Sequence, residues 1–353
     1  MPRSSRRRVA PQLALLASAL LFSAAGASTG CASIINRDPN LRWWAFKTYG
    51  ADRICPEILK ASVPLKLSGE NSPTIGRYYP ASCSTSINEE RRVVVVNIGG
   101  SGYAYMATAK RVGFTLNVSP EYAFDFYMHE DGNWVWGKLA RVAAGPDFRT
   151  TNVENKVVDL AAGLTPAGGM ANLFGGQVVS GFLSKGFTVV ESDEGKEFSL
   201  GILPPGKRPF RPIEVDSSDE AYTFSNETAD IYSNQQDFLG PFEIADEDQR
   251  LSIKGTLAGG AVDFVIVSKQ TGDLWRQSYQ SGAPVSGPPG LIMGQSMVQA
   301  GPFNRKFQLN PGVYYVIVDN SASTGQASPL FSLPNPLFDA SVRLTYLAQL
   351  IEE

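Results

Sequence analysis

The sequence predicts a mainly β protein with a minor α contribution, arranged as two β-rich domains, and three observations lead there. Between residues 91 and 140 apolar and polar side chains alternate with a period of two, the period at which successive side chains leave opposite faces of a strand. Asp131-Gly132 stands between two of these runs, and an Asp-Gly pair in that place is the strongest short-range hairpin signal. From 222 to 350, short runs rich in Val, Ile, Phe and Tyr recur between Gly, Pro and Asn turns, as in two packed antiparallel sheets.

Residues 1–30 precede the first domain and have the parts of an export signal. Arg3, Arg6, Arg7 and Arg8 form a basic start, an apolar run follows from Val9 to about Phe22, and small residues close it. Ser28-Thr29-Gly30-Cys31 then resembles a lipobox, the motif of bacterial lipoproteins in which small residues precede a cysteine that is diacylated and becomes the new N-terminus. Ser28 departs from the leucine that is commonest there. The resemblance implies a protein held to a membrane through Cys31. Ala32 after the cysteine, in place of Asp, implies passage to the outer membrane in Gram-negative bacteria. Two other outcomes stay open. Cleavage after Ala25-Gly26-Ala27 would release a secreted or periplasmic protein, and the uncharged stretch 9–36 is long enough to be retained as a membrane span. In each case the arginines stay inside and the body is exported.

Cysteine usage points the same way. Of three cysteines, Cys55 and Cys83 are natural disulfide partners in an oxidising compartment, and lipidation of Cys31 accounts for the odd thiol. The competing reading is two buried free thiols. A 55–83 bridge would restrain an irregular segment rich in Pro, Gly and polar residues. Residues 31–50 read as a lipid-anchored tether, with Trp43-Trp44 between Arg42 and Lys47. Those indoles sit either at the headgroup level of a bilayer or over an edge of the first domain.

The N-terminal β-rich domain is expected over 51–215. Its strands are 93–98, the alternating runs 112–118 and 122–128, the arm through Trp134 and Trp136, and a pair around Asp193-Glu194-Gly195. Gly99-Gly100-Ser101-Gly102 follows the first strand but lacks both G-x-G-x-x-G spacing and Gly-Lys-Ser/Thr, so a turn or bulge is expected instead of a phosphate loop. Met170, Leu173, Phe174, Val178, Val179, Phe182 and Leu183 recur at helical spacing, which predicts a helix near 168–185 laid on the sheet through its glycines. Its small residues also admit self-association through 160–184. The proline-rich basic crossing 203–212 leads to a domain boundary near 213–221.

The C-terminal domain, 222–350, is expected to be an antiparallel β-sandwich. Its strands are 238–244, 250–255, 262–267, 303–309, 313–318 and 342–347, with turns at Gly259-Gly260, Thr271-Gly272-Asp273 and Asn310-Pro311-Gly312 and a long flexible loop at 282–294. The run FNRKFQLNPGVYYVIVDNS, within about 230–325, is similar to the closing hairpin of pre-peptidase C-terminal and related jelly-roll accessory modules. That resemblance implies a non-catalytic binding or adhesion module.

Charge and composition narrow the function. Setting aside the four arginines of residues 1–30 leaves 27 Lys and Arg against 34 Asp and Glu, about −7 with no basic stripe, which argues against a nucleic-acid partner. The single histidine, His129, precludes multi-His zinc sites, and no G-x-S-x-G elbow is present. No catalytic residue, metal ligand or cofactor is expected. The candidate ligand surface is Asp125, Tyr127, Glu130, Trp134 and Trp136, acids among aromatics on one hairpin. Asp230, Asp246, Glu247, Asp248, Asp263 and Asp319 are carboxylates that could meet Ca²⁺, with charged turns as the default. The expected function is that of a non-catalytic envelope lipoprotein whose partners are the membrane and an envelope protein or polysaccharide. Two alternatives remain: a carbohydrate-active hydrolase using carboxylates, and a self-associating assembly component.

Overall fold

The computed structural model describes residues 28–49, 54–68, 71–155, 174–192, 195–215, 221–328 and 340–352. The export signal up to residue 27, residues 160–173 of the uncharged segment 160–184 and the boundary residues 216–220 lie outside the described residues.

The fold is mainly β. Strands β1 (Val63–Lys66), β2 (Thr74–Asn88), β3 (Val93–Met106), β4 (Lys110–His129), β5 (Gly132–Val153), β6 (Phe187–Ser192) and β7 (Gly195–Leu200) form the N-terminal half of a large sheet. Strands β8 (Tyr222–Tyr232), β10 (Gln249–Ala258), β13 (Gly301–Gln308) and β15 (Ser341–Glu352) continue it, in the order β13-β10-β15-β8-β2-β3-β4-β5-β6-β7 with β1 beside β2. Neighbours are antiparallel except at β2–β8, where one parallel pair, Thr74 with Ala229, carries the sheet from one half to the other. A second, antiparallel sheet orders β12 (Ile292–Val298), β11 (Val262–Ser268), β14 (Gly312–Asn320) and β9 (Gln235–Ile244). It packs on β8, β10, β13 and β15, and Phe242, Phe264, Ile266 and Val316 share one core with Leu251, Ile253, Leu344 and Tyr346. That is a sandwich of two sheets.

The alternating runs explain the N-terminal half. Phe114, Leu116, Val118, Tyr122 and Phe126 of β4 point to one core with Val94, Val96 and Ile98 of β3. The two predicted runs are one continuous strand that absorbs bulges near Asn117–Pro120, and the hairpin closes with His129 paired to Gly132. Gly132 has φ +145°, which explains glycine after Asp131. Gly99-Gly100-Ser101-Gly102 makes no turn: it lies inside β3, and the bulge is opposite, between Pro80 and Ser82 of β2. A Cβ on Gly100 would meet the Tyr79 carbonyl at 2.3 Å, so the glycines permit close strand packing.

The structure corrects several further expectations. Residues 31–49 of the expected tether are helical: α1 (Ser28–Arg37) and α2 (Pro39–Tyr49) pack on β4, with Trp43 and Phe46 buried against Phe124 at ring distances of 4.5 and 5.0 Å. The second reading of Trp43, cover for the first core, is the one realised. The described part of the 168–185 helix is irregular, with a π turn at Val178–Phe182 and a 3-10 turn at Leu183–Lys185. Its described part docks through Phe174, Val178, Phe182 and Leu183, with Gly175 the described glycine that joins them. Gly176 and Gly181 have nothing within 4 Å of an added Cβ, while Gly175 alone abuts Pro146. Thr271-Gly272-Asp273 is part of helix α4 (Lys269–Gln280), and 282–294 is loop only as far as residue 291, where β12 begins. Cys55, on the short helix α3 (Ile54–Ile58), is joined to Cys83 on β2 by a disulfide, Cα to Cα 5.3 Å.

Candidate functional site

β3 pairs with β4 only as far as Ala123, so the last residues of β4 would face solvent on that side. The side chain of Asn36 supplies the missing neighbour: its Oδ1 accepts from the Met128 N–H at 2.7 Å and its Nδ2 donates to the Met128 carbonyl at 2.9 Å. An amide side chain here copies the pairing of a backbone residue, which keeps an edge strand from binding another chain. Sequence reasoning missed Asn36; no local signal marks an Asn that will reach 92 residues along the chain.

Register then sets the chemistry. Asp125 pairs with Trp136 and Tyr127 with Trp134, which by strand alternation places all four on one face of β4–β5. The proline-rich crossing runs over this face. Trp134 Nε1 donates to the Lys207 carbonyl and Trp136 Nε1 to the Leu203 carbonyl at 2.7 Å, so the indoles bind backbone that has no sheet partner. Where α1, α2, the edge of β4 and residues 202–205 converge, an open cleft of about 360 Å³ remains. Asn36, Arg42, Asp125, Tyr127, Trp136 and Lys138 give it its polar and aromatic groups, and Ile202 and Pro204 one apolar wall.

Three of the five residues expected to form a ligand surface, Asp125, Tyr127 and Trp136, therefore line one cleft. Two do not. Trp134 is fully buried with Val190 beneath the crossing, and Glu130 lies at the exposed turn. Buried aromatic area outweighs solvation for an indole whose N–H finds a partner, and this explains Trp134. No family model matches this chain, and no curated protein is similar to it.

Asp125 is engaged on one oxygen. Its Oδ1 accepts from Arg42 Nη1 at 2.8 Å and from the Phe126 N–H at 2.9 Å. Glycoside hydrolysis by two acids needs a second carboxylate across the bond, and Asp125 is the one acid lining the cleft among the described residues. The arrangement suits holding a ligand: the Tyr127 ring and two prolines for stacking, with Lys138, Arg42 and Asn36 to receive hydroxyl or carboxylate groups.

Elsewhere, His129, Glu130 and Asp131 bring one ligand atom each within 4.8 Å of one another at the β4–β5 turn. They are solvent-accessible, with His129 Nδ1 3.1 Å from Asp131 Oδ2, and no ion is assigned to them. Of the acids considered for Ca²⁺, Asp230 is held by Arg343 at 2.7 and 2.9 Å, and Asp263 accepts from the Gln326 and Ala327 N–H groups.

Proposed function

We propose that this protein is an exported cell-envelope lipoprotein, held through acylated Cys31 to the outer membrane, whose cleft binds a polymer without turning it over. The observation that carries this reading is the cysteine arrangement. Cys55 and Cys83 are bonded to each other, which leaves one cysteine, and it follows an apolar run at the end of Ser28-Thr29-Gly30. A disulfide belongs to an oxidising compartment. The chemical role of Cys31 is anchoring: acyl chains contribute about 0.8 kcal/mol per CH₂ buried, ample with three chains for stable attachment. Intact mass of the protein from its host should carry the acyl groups on Cys31, and Cys31→Ser should abolish incorporation of labelled palmitate. A chain found in the cytoplasm with residues 1–30 retained would sink the proposal.

For the cleft ligand we favour a polysaccharide strand of the envelope. Tyr127, Pro204 and Pro205 suit the flat apolar faces of sugar rings, and Asn36, Arg42 and Lys138 their hydroxyl and acidic groups. Tyr127→Ala and Lys138→Ala should each weaken binding to purified envelope polysaccharide roughly tenfold, the scale of one lost contact of about 1.4 kcal/mol. Equal binding by all three proteins would reject the assignment.

One observation favours self-association as a second reading. Gly176, Ser180 and Ser184 recur every four residues and are exposed on the side of the irregular helix away from the core. Gly176→Leu should then reduce crosslinked dimer, and an unchanged monomer would end it.

A further inference from the structure

The two N-terminal helices bury one face and expose another of unusual composition. The Asp38 N–H donates to the Ile34 carbonyl at 3.1 Å, the last bond of α1, and Asp38 Oδ1 then accepts from the Asn40 N–H at 2.7 Å, capping the start of α2. Positions 34 and 37 on α1, and 41, 44 and 48 on α2, are three or four apart within their own helices and so form one exposed side of each. Those positions are exposed: Ile34 at 61%, Leu41 at 36% and Trp44 at 48%, with Arg37 and Thr48 beside them. Trp43, Ala45 and Phe46 of α2 are buried. Of the five tryptophans in the chain, Trp44 is the exposed one; Trp43, Trp134, Trp136 and Trp275 are all buried.

An exposed indole with aliphatic neighbours and a guanidinium is costly against water but suits a bilayer's headgroup layer. There the ring enters the acyl boundary, its N–H stays hydrated, and the cation meets lipid phosphate. Cys31 lies three residues before Ile34 on the same helix, a rise of about 4.5 Å, and Trp44 follows on the next helix. We propose that this stripe docks on a phospholipid surface: Ile34, Leu41 and Trp44 insert to the acyl boundary and Arg37 pairs with lipid phosphate. The proposal rests on reading Cys31 as the acylation site. A lipid there keeps the stripe within reach of the bilayer, so even weak partition becomes intramolecular and populated. Docking also fixes orientation. Asn36 and Arg42, from the same helices, line the cleft, so the cleft is held close to the membrane and does not swing on a loose leash.

The test uses the processed protein purified from its host membrane and reconstituted in phosphatidylethanolamine–phosphatidylglycerol vesicles with brominated acyl chains. Bromine quenches only indoles at the acyl boundary. Wild-type emission should shift to the blue and lose a component that Trp44→Phe lacks, and Arg37→Glu with Leu41→Ser should remove that quenching while the far-UV spectrum stays unchanged. Acylation is read separately, by intact mass. An acylated protein whose emission ignores brominated lipid overturns the docking and leaves the anchor intact. A protein without acyl chains that is still quenched on adding vesicles keeps the docking and removes the anchor.

Discussion

Asp319 shows how a single carboxylate sets pH dependence. It lies on β14 directly across from Asp263 on β11, and both are buried. Burial, with the Asp263 charge adding to it, pushes the Asp319 carboxyl up to about 6, against the donated hydroxyls of Ser321 at 2.6 Å and Ser323 at 3.3 Å. A raised carboxyl pKa means the folded state holds its proton longer than the unfolded chain. The destabilisation is thus absent below about pH 4, develops between pH 4 and 6, and is complete above 6. Two units correspond to roughly 3 kcal/mol. Asp319→Asn, which cannot ionise, should therefore gain stability relative to wild type as pH rises from 4 to 7, read as a widening difference in Tm. Parallel curves would reject this. Glu121 has the opposite sign: Arg141 and Arg91 hold it down at about 2, so its contribution is present above pH 4.5 and fades only in strong acid.

At the scale of elements, the disulfide ties α3 to β2 across a segment that pairs only through short β1. Closing a loop of 28 residues restrains the unfolded chain by about 3–4 kcal/mol in the loop-entropy argument. Reduction, or Cys55→Ala with Cys83→Ala, should lower the unfolding free energy from urea titration by that amount; an unchanged midpoint would show the bridge to be idle. The strands were legible because period two survives in the sequence of β4 and because 262–267 is a short, nearly continuous apolar run, buried on both faces. β8 was not, since Tyr222–Tyr232 reads polar and gains its place by pairing with β15 along ten residue pairs. α4 was misread because Gly272 looks like a turn. The helix accepts it since a Cβ there would strike the Tyr315 ring at 2.3 Å. Its signals were present: Ser268 as N-cap, Lys269 with Asp273, and Asp273 with Arg276. In the cleft, the sequence could offer Asp125, Tyr127 and Trp136 from one hairpin. Asn36, Arg42 and Pro204 come from elsewhere in the chain, and only tertiary packing brings them there.

At the scale of the whole molecule, the halves meet at more than the single β2–β8 pair. Arg77 of β2, buried, donates to both carboxylate oxygens of Asp237 on β9 at 2.8 and 2.9 Å and pairs with Glu227 of β8 at 2.8 Å. Tyr103 of β3 donates to the same Asp237 at 2.6 Å and accepts from the Phe238 N–H at 2.8 Å, and the Tyr79 hydroxyl donates to the Phe238 carbonyl. Around these lie Tyr79, Tyr103, Phe238, Trp275 and Tyr279, a cluster drawn from both halves. A buried guanidinium between two acids is stable only as a complete set; removing it strands two negative charges where water cannot reach. Arg77→Met should therefore cost about 3–5 kcal/mol, the scale of an uncompensated buried charge. Replacing Glu227 and Asp237 with Leu in the same chain should recover most of it. The interface also bears on cooperativity. With the set intact, denaturant should unfold the protein in one transition by tryptophan emission and by far-UV dichroism alike, because Trp275 and the first core report on the same event. With Arg77→Met the probes should separate, the sandwich and the N-terminal sheet melting at different urea concentrations. A loss under 1 kcal/mol with coincident probes would mean that the aromatic contacts alone hold the halves together.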